Sequence, residues 1–233
     1  MKFRHVASVL LSIALLVSAR AYAGDAKYLP ANTPDVLSLL PAPPAAGSPE
    51  DQVELDTTFR VHSTCTPEQL ARSKDENKLT IFHFSPAIGP WFQPGKFPKT
   101  EALFIEVEAE AKVLSNLGKA HWKRLRPYNA DPERFPRAIE HEAKTSYSYP
   151  SGHSTRGTVF AYLLAELFPE KREGLLEKGR DCGWLRVQGG VHYPDDVFAG
   201  RVLGQAIAKA ILSSPDFQHD FAEAKAELKA GRL

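Results

Sequence analysis

The sequence predicts an all-α protein with a single helical domain, and three observations carry that expectation. Helix-start signals recur, each a serine or threonine followed by proline and then acidic or amide residues, as in "SPED", "TPEQ" and "SPDFQ". Between residues 100 and 125, Ala102, Phe104, Ile105, Ala109, Val113, Leu114, Leu117 and Ala120 recur at helical spacing. No clear set of alternating segments offers strands for a sheet.

Taken in order, residues 1–23 stand apart. "MKFRH" is a basic start, an apolar run of 14 residues follows, and "AYA" before Gly24 fits an A-x-A cleavage site. This reads as a secretory signal peptide, too short for a membrane span, and no other apolar run approaches spanning length. The expected mature protein is therefore periplasmic or secreted, with no membrane span. Residues 24–48 contain five prolines and should form an extended arm lying on the domain.

Residues 49–233 form the expected helical domain. Its first helix is capped by Ser48 with Pro49 at the first position, and a second starts at Thr66 with Gln69 completing a capping box. Residues 79–98, broken by four prolines, Gly89 and Gly95, read as a loop with one short strand. A long helix should run from 100 to 125, capped by Thr100 and ended at Arg126 by Pro127. Further helices are expected over 151–167, 170–185, 194–213 and 215–229, with Pro194 and Pro215 in first turns and Ser214 as the last cap.

Hydrophobic residues at 43% and charged residues at 24% suit a globular protein with a real core. Losing residues 1–23 takes the basic count from 29 to 26 against 28 acidic residues, a net charge of −2. That balance has no basic footprint for nucleic acid, so a bound anion must be caught by local clustering. In an exported chain the two cysteines, Cys65 and Cys182, are expected to form a disulfide. Their spacing resembles no zinc motif.

Three clusters carry chemistry. In "KAHWKRLRPY", Lys119 and Arg126 are two helical turns apart and can project from one face, with Lys123 a competing cation. In "YPSGHST", Ser151 and Gly152 open a helix whose unpaired N–H groups suit an anion, and His153 can exchange a proton near neutral pH. In "LRVQGGVHYPDD", Arg186 adds a cation, and His192 lies four residues before Asp196. A carboxylate on one ring nitrogen fixes the tautomer and frees the other as a nucleophile; Asp195 competes for that role. There is no Gly-x-Ser-x-Gly elbow and no His-Glu-x-x-His motif. Cations and N–H donors around a nucleophile suit phosphoryl transfer.

The patterns K-x6-R-P, P-S-G-H and R-x5-H-x3-D, in this order, resemble the signature of the type 2 phosphatidic acid phosphatase superfamily. Within it, the exported chain, its proline-rich arm and its closing "SPDFQHDFAEAKAEL" look most like the bacterial class A non-specific acid phosphatases. The resemblance implies catalytic His192, His153 and Asp196, and phosphate held by Lys119, Arg126, Ser151, Gly152 and Arg186. It implies a phosphohistidine intermediate, small phosphomonoester substrates, no metal and no cofactor. Homo-oligomer formation is left open. The alternatives are a vanadate-dependent haloperoxidase and a lipid-phosphate phosphatase. Leu185 departs from the family's usual serine before the third-motif arginine, which puts a supporting hydrogen bond in doubt.

Overall fold

Proline and its capping partner set where the helices begin. The computed structural model describes residues 26–29, 33–139 and 146–231, so the expected signal segment lies outside the described residues. The elements are α1 (Val36–Leu39), α2 (Pro49–Ser63), α3 (Pro67–Asp75), a 3-10 turn (Ile81–Phe84), α4 (Ser85–Ile88), α5 (Pro98–Trp122) and α6 (Pro127–Ala130). They continue with α7 (Gly152–Leu167), a second 3-10 turn (Pro169–Lys171), α8 (Arg172–Gln188), α9 (Pro194–Leu212) and α10 (Pro215–Ala230). Among the described residues there is no strand, and the fold is all-α. No helix there is long and apolar enough to cross a membrane.

The capping residues act as their chemistry requires. Ser48 Oγ accepts from the Asp51 N–H, Thr66 and Gln69 exchange both bonds of a capping box, and Ser214 Oγ accepts from the Phe217 N–H. Thr100 does not cap α5, because the helix already starts at Pro98. The Glu227 carboxylate of α10 accepts from the Lys99 and Thr100 N–H groups instead, placing negative charge on the helix start. The short strand expected within 79–98 is absent as well. A single helical turn begins at Ser85 there, with Pro86 in its second position, and Gly89, at φ 141°, ends it.

Helix α7 is the centre of the packing, lying against α5, α8 and α9. Two glycines permit that closeness. A Cβ on Gly179 of α8 would stand 2.9 Å from the Gly157 carbonyl of α7, and one on Gly200 of α9 would stand 2.6 Å from the Ser151 carbonyl. Phe84, Phe104 and Phe160 meet edge to face in the main core. A smaller core of Leu55, Tyr128, Phe135, Val191 and Tyr193 supports the start of α9. The described arm residues lie on this body: Tyr28 and Leu29 are buried, and their N–H groups donate to the buried Glu110 carboxylate of α5 at 2.8 Å each.

The expected disulfide is not formed. Cys65 and Cys182 are free, buried thiols. Cys182 packs in mid-helix on α8 beneath Gly157 and donates to Glu76, whereas Cys65 lies just past α2 in the field of Arg137.

Candidate active site

Helix starts and two helix ends bring the three sequence clusters together. Helix α7 begins at Gly152 with Ser151 as cap: Ser151 Oγ accepts from the Ser154 N–H, which leaves its hydroxyl hydrogen to donate elsewhere. The Ser151 N–H donates to the Asp196 carbonyl at 2.9 Å, tying this helix start to that of α9. Ser154 Oγ repeats the tie by donating to the Val197 carbonyl at 2.6 Å.

His192 sits just before α9 and is almost completely buried. Its Nδ1 lies 3.1 Å from Asp196 Oδ2, and Asp196 also accepts from the Tyr193 N–H at 2.9 Å. A carboxylate only accepts, so Nδ1 carries the hydrogen and Nε2 presents its lone pair. Arg126 Nη1 approaches that Nε2 at 3.2 Å. Burial, then the fields of Arg126, Lys119, Arg186 and Arg124, push His192 well below the ordinary imidazole value, which keeps the ring neutral. Asp195, the competing acid, is exposed, and its N–H is taken by Glu54. Burial raises Asp196 above the usual carboxylate value, with Arg124 opposing.

The cations converge by different routes. Helix α5 ends at Trp122, where Lys123 takes a left-handed conformation at φ 51°. The common helical face expected for Lys119 and Arg126 therefore does not exist. Lys119 reaches the site from the last turn of α5, and Arg126 reaches it from an extended residue that opens α6. Lys123 is exposed, whereas Lys119 Nζ lies 3.8 Å from where a Gly152 Cβ would be. Arg126 donates to the Val191 carbonyl at 2.9 Å and to Ser146 Oγ through Nε and Nη2. Arg186, in the last turn of α8, is fully buried, with Nη2 donating to Asn77 Oδ1 at 3.3 Å and Nη1 to the Ser73 carbonyl at 3.4 Å. Leu185 is buried beside it, and its carbonyl accepts from Ser73 Oγ at 2.6 Å.

His153 lies one residue into α7, with Nε2 2.8 Å from the Asn77 carbonyl. That carbonyl can only accept, so Nε2 bears hydrogen and Nδ1 is the position that exchanges a proton. Burial, then the fields of Arg186 and Arg156, hold His153 well below the ordinary imidazole value.

All eight site residues expected from the sequence thus meet around one cluster. Four contributors were not singled out: Arg124, Asn77, Ser146 and Arg156. Arg156 Nη1 lies 3.4 Å from where a Gly152 Cβ would be, beside Ser115 Oγ at 3.5 Å. Its spacing of four from Gly152 places it over the helix start and was a readable signal. Asn77 and Ser146 are far along the chain from the groups they hold, and no local pattern marks them. Among the described residues no three His, Cys, Asp or Glu side chains gather in a way that could hold a metal ion.

Known proteins place this geometry in context. The chain is 29% identical over 199 residues to a non-specific acid phosphatase of Providencia stuartii, covering 83% of this chain and 80% of that protein. It is 26% identical over 200 residues to a non-specific acid phosphatase of Salmonella typhimurium, covering 81% and 78%. A lipid A 1-phosphatase of Rhizobium johnstonii matches over 93 residues at 38% identity, covering 40% of this chain and 38% of that one. Residues 102–220, half of the chain and including all three motifs, match the sequence pattern of the PAP2 superfamily, and the chain belongs to that superfamily.

Proposed function

We propose that the protein is an acid phosphatase that hydrolyses phosphate monoesters through a phosphohistidine on His192, without a metal ion. One observation carries the proposal: a buried, neutral His192 directs Nδ1 at Asp196 and Nε2 at a guanidinium within a ring of cations. A neutral imidazole beside Lys119, Arg126 and Arg186 is a nucleophile already placed in an anion-attracting field.

The phosphate monoester enters with its oxygens held by Lys119, Arg126, Arg186, the Ser151 hydroxyl and the Gly152 N–H at the start of α7. His192 Nε2 attacks phosphorus, the N–P bond forms and the bond to the leaving oxygen breaks. Asp196 holds the Nδ1 hydrogen and offsets the positive charge that grows on the ring. His153 gives the leaving oxygen its proton. It then takes a proton from the water that attacks phosphorus, and His192 returns to its free form. The non-specific acid phosphatases of Providencia stuartii and Salmonella typhimurium support this reading of the substrate. A lipid phosphate is the second reading, favoured by the lipid A 1-phosphatase match. Export through cleavage after residue 23 belongs to the same proposal, and an N-terminus at Gly24 in protein recovered outside the cytoplasm would support it.

Rapid acid quench with labelled p-nitrophenyl phosphate should leave phosphate on the wild-type protein and none on His192→Ala. His153→Ala should still be labelled, more slowly with poor leaving groups. Turnover should survive EDTA. Undiminished labelling of His192→Ala overturns the nucleophile, and loss of activity in EDTA restored by a divalent ion overturns the metal-free mechanism.

A further inference from the structure

Arg124 is a buried arginine that no step above uses. It follows the left-handed Lys123 at the end of α5, and its guanidinium extends beneath the start of α9. There Nη1 donates to Asp196 Oδ1 at 3.1 Å and Nη2 to Asp51 Oδ1 of α2 at 2.9 Å. The plane of the group lies over the Tyr193 ring at 3.7 Å, and Glu54 Oε2 is 3.8 Å from Nη1. Asp196 therefore divides its oxygens: Oδ2 serves His192 and the Tyr193 N–H, and Oδ1 serves Arg124.

We propose that Arg124 is the positioning residue of this site: clamped between Asp51 and Asp196, it keeps the Asp196 carboxylate charged and aimed at His192. The inference rests on the phosphatase reading above and deepens it.

The physical need is plain. Asp196 has no exposed surface. A carboxylate taken out of water without a countercharge picks up a proton rather than remain charged. A protonated Asp196 could still sit near His192, but it could not stabilise the positive ring that forms during attack. A fork with two separated donors suits the task, because one arm fixes the group on Asp51 while the other meets Asp196. Lysine has a single charged point and cannot span both.

Among the described residues, the titratable neighbours of Asp196 come from four places. From α2 come Asp51 and Glu54; from the segment after α5 come Arg124 and Arg126; from the segment before α7 comes Tyr149; from its own helix start come His192, Tyr193 and Asp195. Glu54, pushed up to about 7 mainly by burial, is uncharged over the acidic range, so there Arg124 faces two carboxylates rather than three.

The test is the pH dependence of kcat/KM with p-nitrophenyl phosphate for wild type, Arg124→Lys, Arg124→Gln and each change combined with Asp196→Asn. The substrate's own ionisation is common to all and drops out of the comparison. Removing the opposite charge beside Asp196 should move the acid limb of Arg124→Gln upward by about one pH unit or more. Arg124→Lys should shift it less, and KM should change little in either. In the Asp196→Asn background position 196 has no carboxylate to protonate, so Arg124 substitutions should leave the acid limb in place. An unmoved limb in a variant with wild-type helicity, or a loss of rate by one factor at every pH, overturns the inference. So does an equal shift in the Asp196→Asn background, which would mean Arg124 acts on His192 directly. Where Arg124→Gln fails to fold, Arg124→Lys decides by the same criteria. A wild type that hydrolyses p-nitrophenyl phosphate and carries label on His192, with variants that fail the test, overturns this inference alone. A wild type without turnover overturns the phosphatase reading as well.

Discussion

At the scale of single residues, burial and surrounding cations favour the neutral form of both site histidines. His153 shows the consequence for pH. In the proposed role of proton donor it must carry the proton it gives, yet burial, Arg186 and Arg156 all favour its neutral form. The alkaline limb of kcat/KM reports the free enzyme's acid, so it should fall below pH 6.5, the ordinary histidine value. Activity should then be lost as pH rises through the depressed value, which gives an acidic optimum. Arg156→Gln removes one of the two arginines that depress His153, so its alkaline limb should move to higher pH. A pH-rate profile of that variant checks the sign: an unmoved or acid-shifted limb removes His153 as the donor. Much of the candidate site was legible at this scale. Lys119, Arg126, Ser151, Gly152, His153, Arg186, His192 and Asp196 were legible because each sits in a short pattern whose spacing is itself chemical. Asn77 was not, because it supports His153 and Arg186 from 76 and 109 positions away and no local pattern records that.

At the scale of elements, most helix bounds were readable, and the long helix α5 was missed at both of its ends. Ser48, Thr66 and Ser214 declare their caps through bonds within three residues, so sequence alone carries them. The end of α5 was expected at Arg126 on account of Pro127, but the chain leaves the helix at Lys123 by a left-handed residue that is not glycine. Thr100 was displaced as cap by Glu227, a partner 127 residues away. The same long-range logic governs Gly200. Its missing side chain lets α9 approach the Ser151 carbonyl, so a methyl there would press on the residue that caps α7 and borders the proposed phosphate site. Gly200→Ala should cost roughly 1–3 kcal/mol as an overpacking change. Gly179→Ala meets Ala161 and the Gly157 carbonyl farther along α7, so it should cost a similar amount. The two should differ in rate: kcat/KM should drop more for Gly200→Ala, because Ser151 is one of the proposed phosphate ligands. Thermal melts alongside initial rates for both variants provide the comparison. Equal rates at equal stability would show that the Gly200 contact has no bearing on the site.

At the scale of the whole molecule, the all-α class followed from helical spacing and caps, but the covalent prediction did not hold. Two lone cysteines in a chain with an export-type start suggested a disulfide, yet bonding depends on Cα atoms coming within about 7 Å, a distance that composition does not encode. Cys182 is packed in the middle of α8, with Gly157 above it and Glu76 and Lys178 at its side. Burial pushes its thiol up to about 12, so little thiolate is present to react. Cys65 is also buried, and burial raises it as well. Stability here must therefore come from packing α7 among its neighbours rather than from a covalent loop. The purified protein should show two free thiols by mass spectrometry under non-reducing conditions. Both should react with a thiol reagent slowly in the folded state and fast once the chain is unfolded in denaturant. Its melting midpoint should be the same with and without reductant, because no bond exists to break. A midpoint that falls on reduction, together with the absence of free thiols, would show that the two cysteines approach each other in the oxidised protein. The packing of Cys182 beneath Gly157 would then have to be different.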